Sequence, residues 1–148
     1  MSLQEKVTDQ LKAAMRAKDS IALESLRAIK SAITLTQTQA GAKELNPDDE
    51  IKLVQKLVKQ RKDSAAIFRQ QGRNDLAEPE EAQIAIIEQF LPEQLDEAAI
   101  AEIIDGIISK TQASGMKDMG KVMGMASKQM AGKADGKTIS TIVRQKLA

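Results

Sequence analysis

Residues 116–137 read MKDMGKVMGMASKQMAGKADGK and decide how the C-terminal third of the chain folds. Apolar side chains recur at intervals of three and four between Lys117 and Met130, which predicts an amphipathic helix. The glycines that follow predict a turn and the start of another helix. The stretch contains four of the eight glycines, five of the seven methionines and five lysines. It is too basic for a buried element and too patterned for a linker, so we expect a partner there.

The predicted helix divides into three stripes at about 100° per residue. The stripes are apolar, nearly free of side chains, and cationic; in that order they contain Met119, Val122, Met123, Ala126 and Met130, then Gly120, Gly124 and Ser127, then Lys121 and Lys128. A bare strip edged by lysines suits the close approach of a polyanion. The alternative is packing within the chain, because methionines usually fill core gaps and small residues allow another helix to lie close.

Length and composition limit the chemistry. The 148 residues contain no cysteine and no histidine, which excludes a disulfide framework, a thiolate metal site and the usual catalytic triad. No apolar run approaches the length of a membrane span, and residues 1–18 lack the apolar core of a signal peptide. We therefore expect a cytoplasmic protein with no membrane contact, no metal, no cofactor and no small-molecule substrate.

Positive charge is concentrated at the C-terminal end. The whole chain has a formal net charge of +1, but residues 107–148 contain eight basic and two acidic residues, hence +6 against −5 for the rest. Such asymmetry favours a nucleic-acid partner, and a solvated lysine-rich surface is the alternative. Phe68 and Phe90 are the only aromatic residues and are expected to be internal. An RNA partner would then be recognised by phosphate, sugar and folded shape, which favours tRNA over an unstructured strand.

Helical periodicity extends over the rest of the chain, and no segment alternates as a strand would. The sequence predicts an all-α fold, with a four-helix N-terminal subdomain at residues 1–95 and a small three-helix C-terminal subdomain at residues 96–148. The fourth helix, around Ile84, Ile86 and Ile87, is expected to be the most buried. Capping residues mark the predicted starts: Ser2 with Glu5, Asp19 or Ser20, Asn46 with Pro47, Asn74 or Asp75, Asp96 and Asp135.

Two further basic motifs have more than one interpretation. GKADGKT at residues 132–138 resembles a nucleotide-binding loop, but it is one residue too short and follows a helix instead of a strand. A glycine turn is favoured, with room for one phosphate between Lys133 and Lys137. Arg61 falls on an apolar stripe, so it either snorkels or pairs with an acid, or it lines a groove that meets phosphate.

Six motifs together resemble, in order and spacing, the stand-alone YqeY-like proteins of the GatB/YqeY family. They are LRAIK (26–30), KQRKDS (59–64), GRNDL (72–76), FLPEQL (90–95), DMGKVMG (118–124) and ADGK (134–137). That family is similar to the C-terminal part of the B subunit of the glutamine-dependent amidotransferase, which converts misacylated Glu-tRNA or Asp-tRNA to the amide forms. The resemblance implies an all-helical fold of two subdomains and contact with the body of tRNA.

The amidotransferase subunit's catalytic portion, which uses ATP and magnesium, has no counterpart in these 148 residues, so we expect no carbon–nitrogen ligase activity from the chain alone. The leading hypothesis is a non-catalytic tRNA-binding protein. The alternatives are a module that docks on a tRNA-processing enzyme through its methionine face, and an accessory role in tRNA amidation. Candidate nucleic-acid-binding residues are Lys117, Gly120, Lys121, Gly124, Lys128, Lys133, Gly136, Lys137 and Arg144, with Arg27, Lys30, Lys59, Arg61, Lys62 and Arg73 as secondary candidates.

Overall fold

The computed structural model describes residues 1–39, 41 and 44–148, in two compact units, Met1–Leu91 and Pro92–Ala148. The all-α class is confirmed. The first unit contains α1 (Leu3–Ala17), α2 (Ser20–Gln39), α3 (Pro47–Gln70) and α4 (Asn74–Ile87), with a 3₁₀ turn at Glu88–Phe90. The second contains α5 (Glu97–Thr111), a 3₁₀ turn at Met116–Asp118, α6 (Met119–Gln129) and α7 (Gly136–Leu147). The predicted boundary between residues 95 and 96 stays a prediction.

Side-chain caps start most of the helices, as the sequence predicts. At α1, the Ser2 hydroxyl accepts the Glu5 N–H at 3.2 Å and the Glu5 carboxylate accepts the Ser2 N–H at 3.0 Å. These bonds satisfy donors that the first helical turn leaves unpaired. The same role falls to Asp19 at α2, Asn46 at α3, Asp96 at α5 and Asp135 at α7.

The first unit has a core built from one seam of each helix. Its buried members include Leu3, Val7 and Leu11 of α1, Leu26, Ile29 and Ile33 of α2, Val54 and Val58 of α3, and Ile87 of α4. Phe90 packs against this core, but both phenylalanines are only partly buried.

The expectation that the fourth helix is the most buried is wrong. Only Ala77 and Ile87 of α4 are buried, whereas five residues of α2 are. Ile84 and Ile86 are partly covered because α4 packs against α2 and α3 and leaves its remaining sides in solvent. Apolar residues on several sides of a helix do not reveal how much of each side a neighbour covers.

The second unit has a core of its own. The buried residues are Ile100, Ile104 and Ile107 of α5, Val122 and Ala126 of α6, Met130 and Ala134 after α6, and Ile139, Ile142, Val143 and Leu147 of α7. Met130 has no exposed surface. It therefore joins the end of α6 to both neighbouring helices.

Replacing Met130 with alanine leaves a cavity in this small core. We expect Met130→Ala to lower the free energy of opening of the second unit by about 2–5 kcal/mol. Hydrogen exchange followed by mass spectrometry on peptides from α5 to α7 measures this value. Met116→Ala is the control, because Met116 is 47% exposed and should change stability by less than about 0.5 kcal/mol. Equal losses in the two variants would contradict the prediction.

An exposed ion pair joins α3 to α4 and makes stability depend on pH. The Arg69 guanidinium donates to both carboxylate oxygens of Glu81 at 2.9 and 2.8 Å. These bonds lower the pKa of Glu81 below its ordinary value. A carboxyl group with a lowered folded-state pKa stabilises the fold above its unfolded-state pKa, and this contribution is lost as the pH falls through the folded-state pKa.

Glu81→Gln should remove this pH-dependent contribution. The difference in urea midpoint between the wild type and Glu81→Gln should therefore shrink between about pH 7 and about pH 3. Circular dichroism at several pH values measures it. Glu102→Gln, on the exposed side of α5, should show a pH-independent difference, and a constant difference for Glu81→Gln would refute the assignment.

Candidate nucleic-acid interface

The three predicted stripes of α6 are separate in the structure. Val122, Ala126 and the adjoining Met130 are buried, and Met119 and Met123 are partly buried against the same core. The small and cationic stripes face solvent: Gly120, Gly124, Ser127, Lys121 and Lys128 are all exposed. The apolar stripe thus fixes the rotation of α6, and the lysines point outward as a consequence.

The two exposed glycines of α6 have no packing role inside the described part of the chain. A Cβ atom added at Gly120 or Gly124 would meet no heavy atom within 4 Å. The alternative interpretation, that they let another helix of this chain approach, is therefore wrong. Glycine inside a helix costs roughly 0.5–1 kcal/mol relative to alanine. The fold gains nothing visible in return for this cost.

The basic helix begins later than predicted. Residues Met116–Asp118 form a 3₁₀ turn, and the α-helix starts at Met119 instead of Lys117. No side chain caps α6; instead the Asp118 carboxylate accepts the Ser114 N–H at 2.9 Å and closes the preceding loop. Lys117 lies exposed on this turn. The tighter winding is common where a helix start lacks a cap.

A glycine turn connects α6 to α7, which is the interpretation the sequence favours. The Asp135 carboxylate accepts both the N–H and the hydroxyl of Thr138, at 2.7 and 2.9 Å. One amide at the start of α7 is therefore already occupied, unlike in a nucleotide-binding loop. Lys133 and Lys137 are exposed on either side of this cap, and Gly136 is exposed between them.

The cationic groups of the second unit are mostly unpaired. Lys146 forms an ion pair with Asp105 at 2.8 Å. Within the residues that the structure describes, no acidic group is at ion-pairing distance from the six cationic candidates, which are Lys117, Lys121, Lys128, Lys133, Lys137 and Arg144. This arrangement leaves their charge available to an external anion.

Their spacing repeats on two helices. Lys121 and Lys128 are seven residues apart on α6, and Lys137 and Arg144 are seven apart on α7. Seven residues are close to two turns, so each pair shares a face and is separated by about 10 Å along the axis. Neither helix has an acidic residue in its first turn, where acids are normally favourable and lysine is not. The helix starts therefore add to the positive potential.

The secondary candidates belong to the first unit, and half of them are already engaged there. Arg61 neither snorkels nor meets an acid directly: its Nε donates to Gln83 Oε1 at 2.9 Å, and Gln83 Nε2 donates to Glu24 at 3.1 Å. Lys62 pairs with Glu88 at 3.3 Å and Arg73 with Asp75 at 3.0 Å. Arg27, Lys30 and Lys59 are exposed.

One part of the site was not predicted. Residues 92–95, which lead into α5, form hydrogen bonds with the turn between α6 and α7 through Gln94 and Leu95. The available signal was the position of Gln94 in the FLPEQL motif. A membrane role finds no support in the described residues, where no helix is both long and apolar enough to span a bilayer.

Known proteins resemble this chain over nearly its whole length. The model of the family described as Yqey-like protein matches residues 4–147. The chain belongs to the YqeY-like family. This membership confirms the resemblance that the six motifs indicate.

Two kinds of relative are found for this YqeY-like chain. The mitochondrial protein "altered inheritance of mitochondria protein 41" is 41% identical over 93 residues in Lachancea thermotolerans, covering 63% of this chain and 49% of the relative. The protein of that name in Pyrenophora tritici-repentis is 30% identical over 139 residues, covering 91% and 75%. A glutamyl-tRNA(Gln) amidotransferase subunit of Thermococcus gammatolerans is 32% identical over 104 residues, covering 68% and 17%.

The lengths matter for what these names imply. The chain spans about half of the Lachancea protein and 17% of the Thermococcus amidotransferase subunit. The expected link to an amidotransferase is therefore present as similarity to a small part of that subunit. The family relationship to an amidotransferase subunit stands, while the activity of the whole subunit does not transfer with it.

The exposed glycines of α6 yield a stability test. We expect Gly120→Ala and Gly124→Ala each to stabilise the second unit by about 0.5–1 kcal/mol, because both sites are helical and open. Gly106→Ala on α5 is the matched control, since a Cβ there also meets nothing within 4 Å. Thermal unfolding and hydrogen exchange of the three variants measure the gain. A loss of stability at Gly120 or Gly124 alone would show that these glycines do have a role in the fold.

Proposed function

We propose that this YqeY-like chain is a non-catalytic tRNA-binding protein whose second unit contacts the phosphate backbone. The observation that supports this most is the set of six exposed cationic side chains without an internal acid, placed on α6, on α7 and beside their starts. Phosphate contacts supply most of the affinity of such surfaces and need no enzymatic group.

The nine candidate residues form two parts of the proposed surface. The first is the strip of Gly120 and Gly124 with Lys117, Lys121 and Lys128, where a phosphate can approach the helix backbone without meeting a side chain. The second is the turn before α7 with Lys133, Gly136 and Lys137, and it continues along α7 to Arg144. Arg27, Lys30 and Lys59 remain secondary candidates in the first unit.

Folded RNA suits this surface better than a single strand does. The second unit contains no aromatic residue, so bases cannot stack on it as they do on single-strand binders. Shape and backbone recognition are what remain. The similarity to a subunit named for tRNA amidation favours tRNA among folded RNAs. In this proposal any part in amidation is accessory and is exerted through tRNA.

The alternative is docking on a tRNA-processing enzyme through the methionine face of α6. That mode needs accessible methionines, which are adaptable contact residues. Met119 and Met123 are partly exposed, but Met130 is fully buried. The methionine face is mainly core, so this alternative has less support than RNA binding.

We keep the cytoplasm as the proposed location, because a chain without cysteine suits a reducing compartment. Relatives with "mitochondrial" in their names give the alternative. Cell fractionation with an antibody to the chain distinguishes the two.

Charge reversal tests the proposed surface. We expect Lys121→Glu, Lys133→Glu and Lys137→Glu combined to weaken binding to total tRNA at least about tenfold at low salt and to reduce the slope of log K against log salt by roughly two to three. Fluorescence anisotropy over a salt series measures both.

The control makes the same change of net charge in the first unit. Lys6→Glu, Lys12→Glu and Lys56→Glu alter three exposed lysines there and should leave the slope nearly unchanged. Equal losses in both triple variants would mean diffuse attraction without a site, and wild-type protein that binds no tRNA would refute the proposed function.

A further inference from the structure

The segment before α5 fastens the turn that carries Lys133. Gln94 Nε2 donates to two carbonyl oxygens, those of Pro92 at 2.8 Å and Gly132 at 2.7 Å. The next residue, Leu95, donates its N–H to the Lys133 carbonyl at 2.8 Å and packs its side chain against the core of the second unit. Two successive carbonyls of the turn are thus held by two successive residues of the segment.

The turn is also anchored on both sides by burial. Met130 precedes it and Ala134 follows it, and both are buried. Gly132 lies between them with φ near +77°, a left-handed conformation that glycine adopts without strain. Lys133 donates its N–H to the Met130 carbonyl at 2.9 Å. The exposed Lys133 side chain therefore leaves from a backbone with few conformations open to it.

Gln94 contributes to this arrangement without being part of the core. Gln94 is exposed, so its removal opens no cavity. Its effect is confined to the two hydrogen bonds of its amide, which span the segment and the turn. Such bonds reduce the conformations that a binding loop must give up when it meets its partner.

We propose that Gln94 is a positioning residue for the phosphate contacts of Lys133 and Lys137. This inference rests on the proposed tRNA binding. Gln94 touches no RNA itself; it holds the Gly132 carbonyl so that the turn, the Asp135 cap and the two lysines keep one geometry before binding.

The test uses Gln94→Met in the full chain, because methionine has similar length, no donor and no charge. We expect tRNA affinity at low salt to fall about three- to tenfold, while the slope of log K against log salt stays unchanged because the same phosphates are contacted. Amide exchange of Leu95 should become faster, while that of Ile104 and Val143 in the core stays as in the wild type.

A double-mutant cycle separates positioning from general stability. In a Lys133→Ala, Lys137→Ala background, Gln94→Met should cause no further loss of affinity, since it acts through those two lysines. An equal loss in both backgrounds would overturn the inference. Gln145→Met is the matched control: Gln145 is an exposed glutamine of α7, and its replacement should affect neither exchange nor binding.

The outcomes distinguish this inference from the proposed function. If the lysine charge reversal weakens binding but Gln94→Met does not, only the positioning role is overturned. If the wild type binds no tRNA, both fall. Gln94→Asn withdraws the amide by one methylene and is the milder second variant; it should show the same pattern with a smaller loss, and wild-type affinity and Leu95 exchange in both variants would overturn the inference.

Discussion

Burial of one apolar seam from each of three short helices is the constraint on which the surface of the second unit depends. A unit this small must direct nearly all its aliphatic side chains inward to be stable, and the rotation of α6 is then fixed by Val122, Ala126 and Met130. Positions 120, 121, 124 and 128 face solvent as a result. The placement of charge is therefore a consequence of core packing and needs no specific bond to each lysine.

The same unit accepts several features that do not favour stability. α6 has two open glycines and no side-chain cap, and α7 begins with Lys137 where the helix dipole disfavours a cation. Each feature sits on the exposed cationic side and none lies in the core. Departures from local rules that cluster on one surface are typical of binding sites, where contacts with a partner offset the cost.

Local signals explain which features the sequence could predict. Helix class, five side-chain caps and the stripes of α6 follow from residues within one or two turns of each other, and the structure confirms them. The features missed depend on distant partners: Arg61 meets Gln83 22 residues away, Gln83 meets Glu24 59 residues away, and Gln94 meets Gly132 38 residues away. The partial burial of α4 depends in the same way on how far α2 and α3 cover it. Periodicity carries no information about such pairings.

The contact among α2, α3 and α4 has a consequence for which substitutions the chain can accept. Gln83 accepts a hydrogen bond from the Arg61 guanidinium and donates one to the Glu24 carboxylate, and a primary amide can do both at once. A carboxylate there would repel Glu24, an ammonium group would repel Arg61, and an aliphatic side chain would leave both without a partner. Position 83 is thus restricted by polarity although it is only partly buried, and a mutational scan ranked by solvent exposure would underrate it.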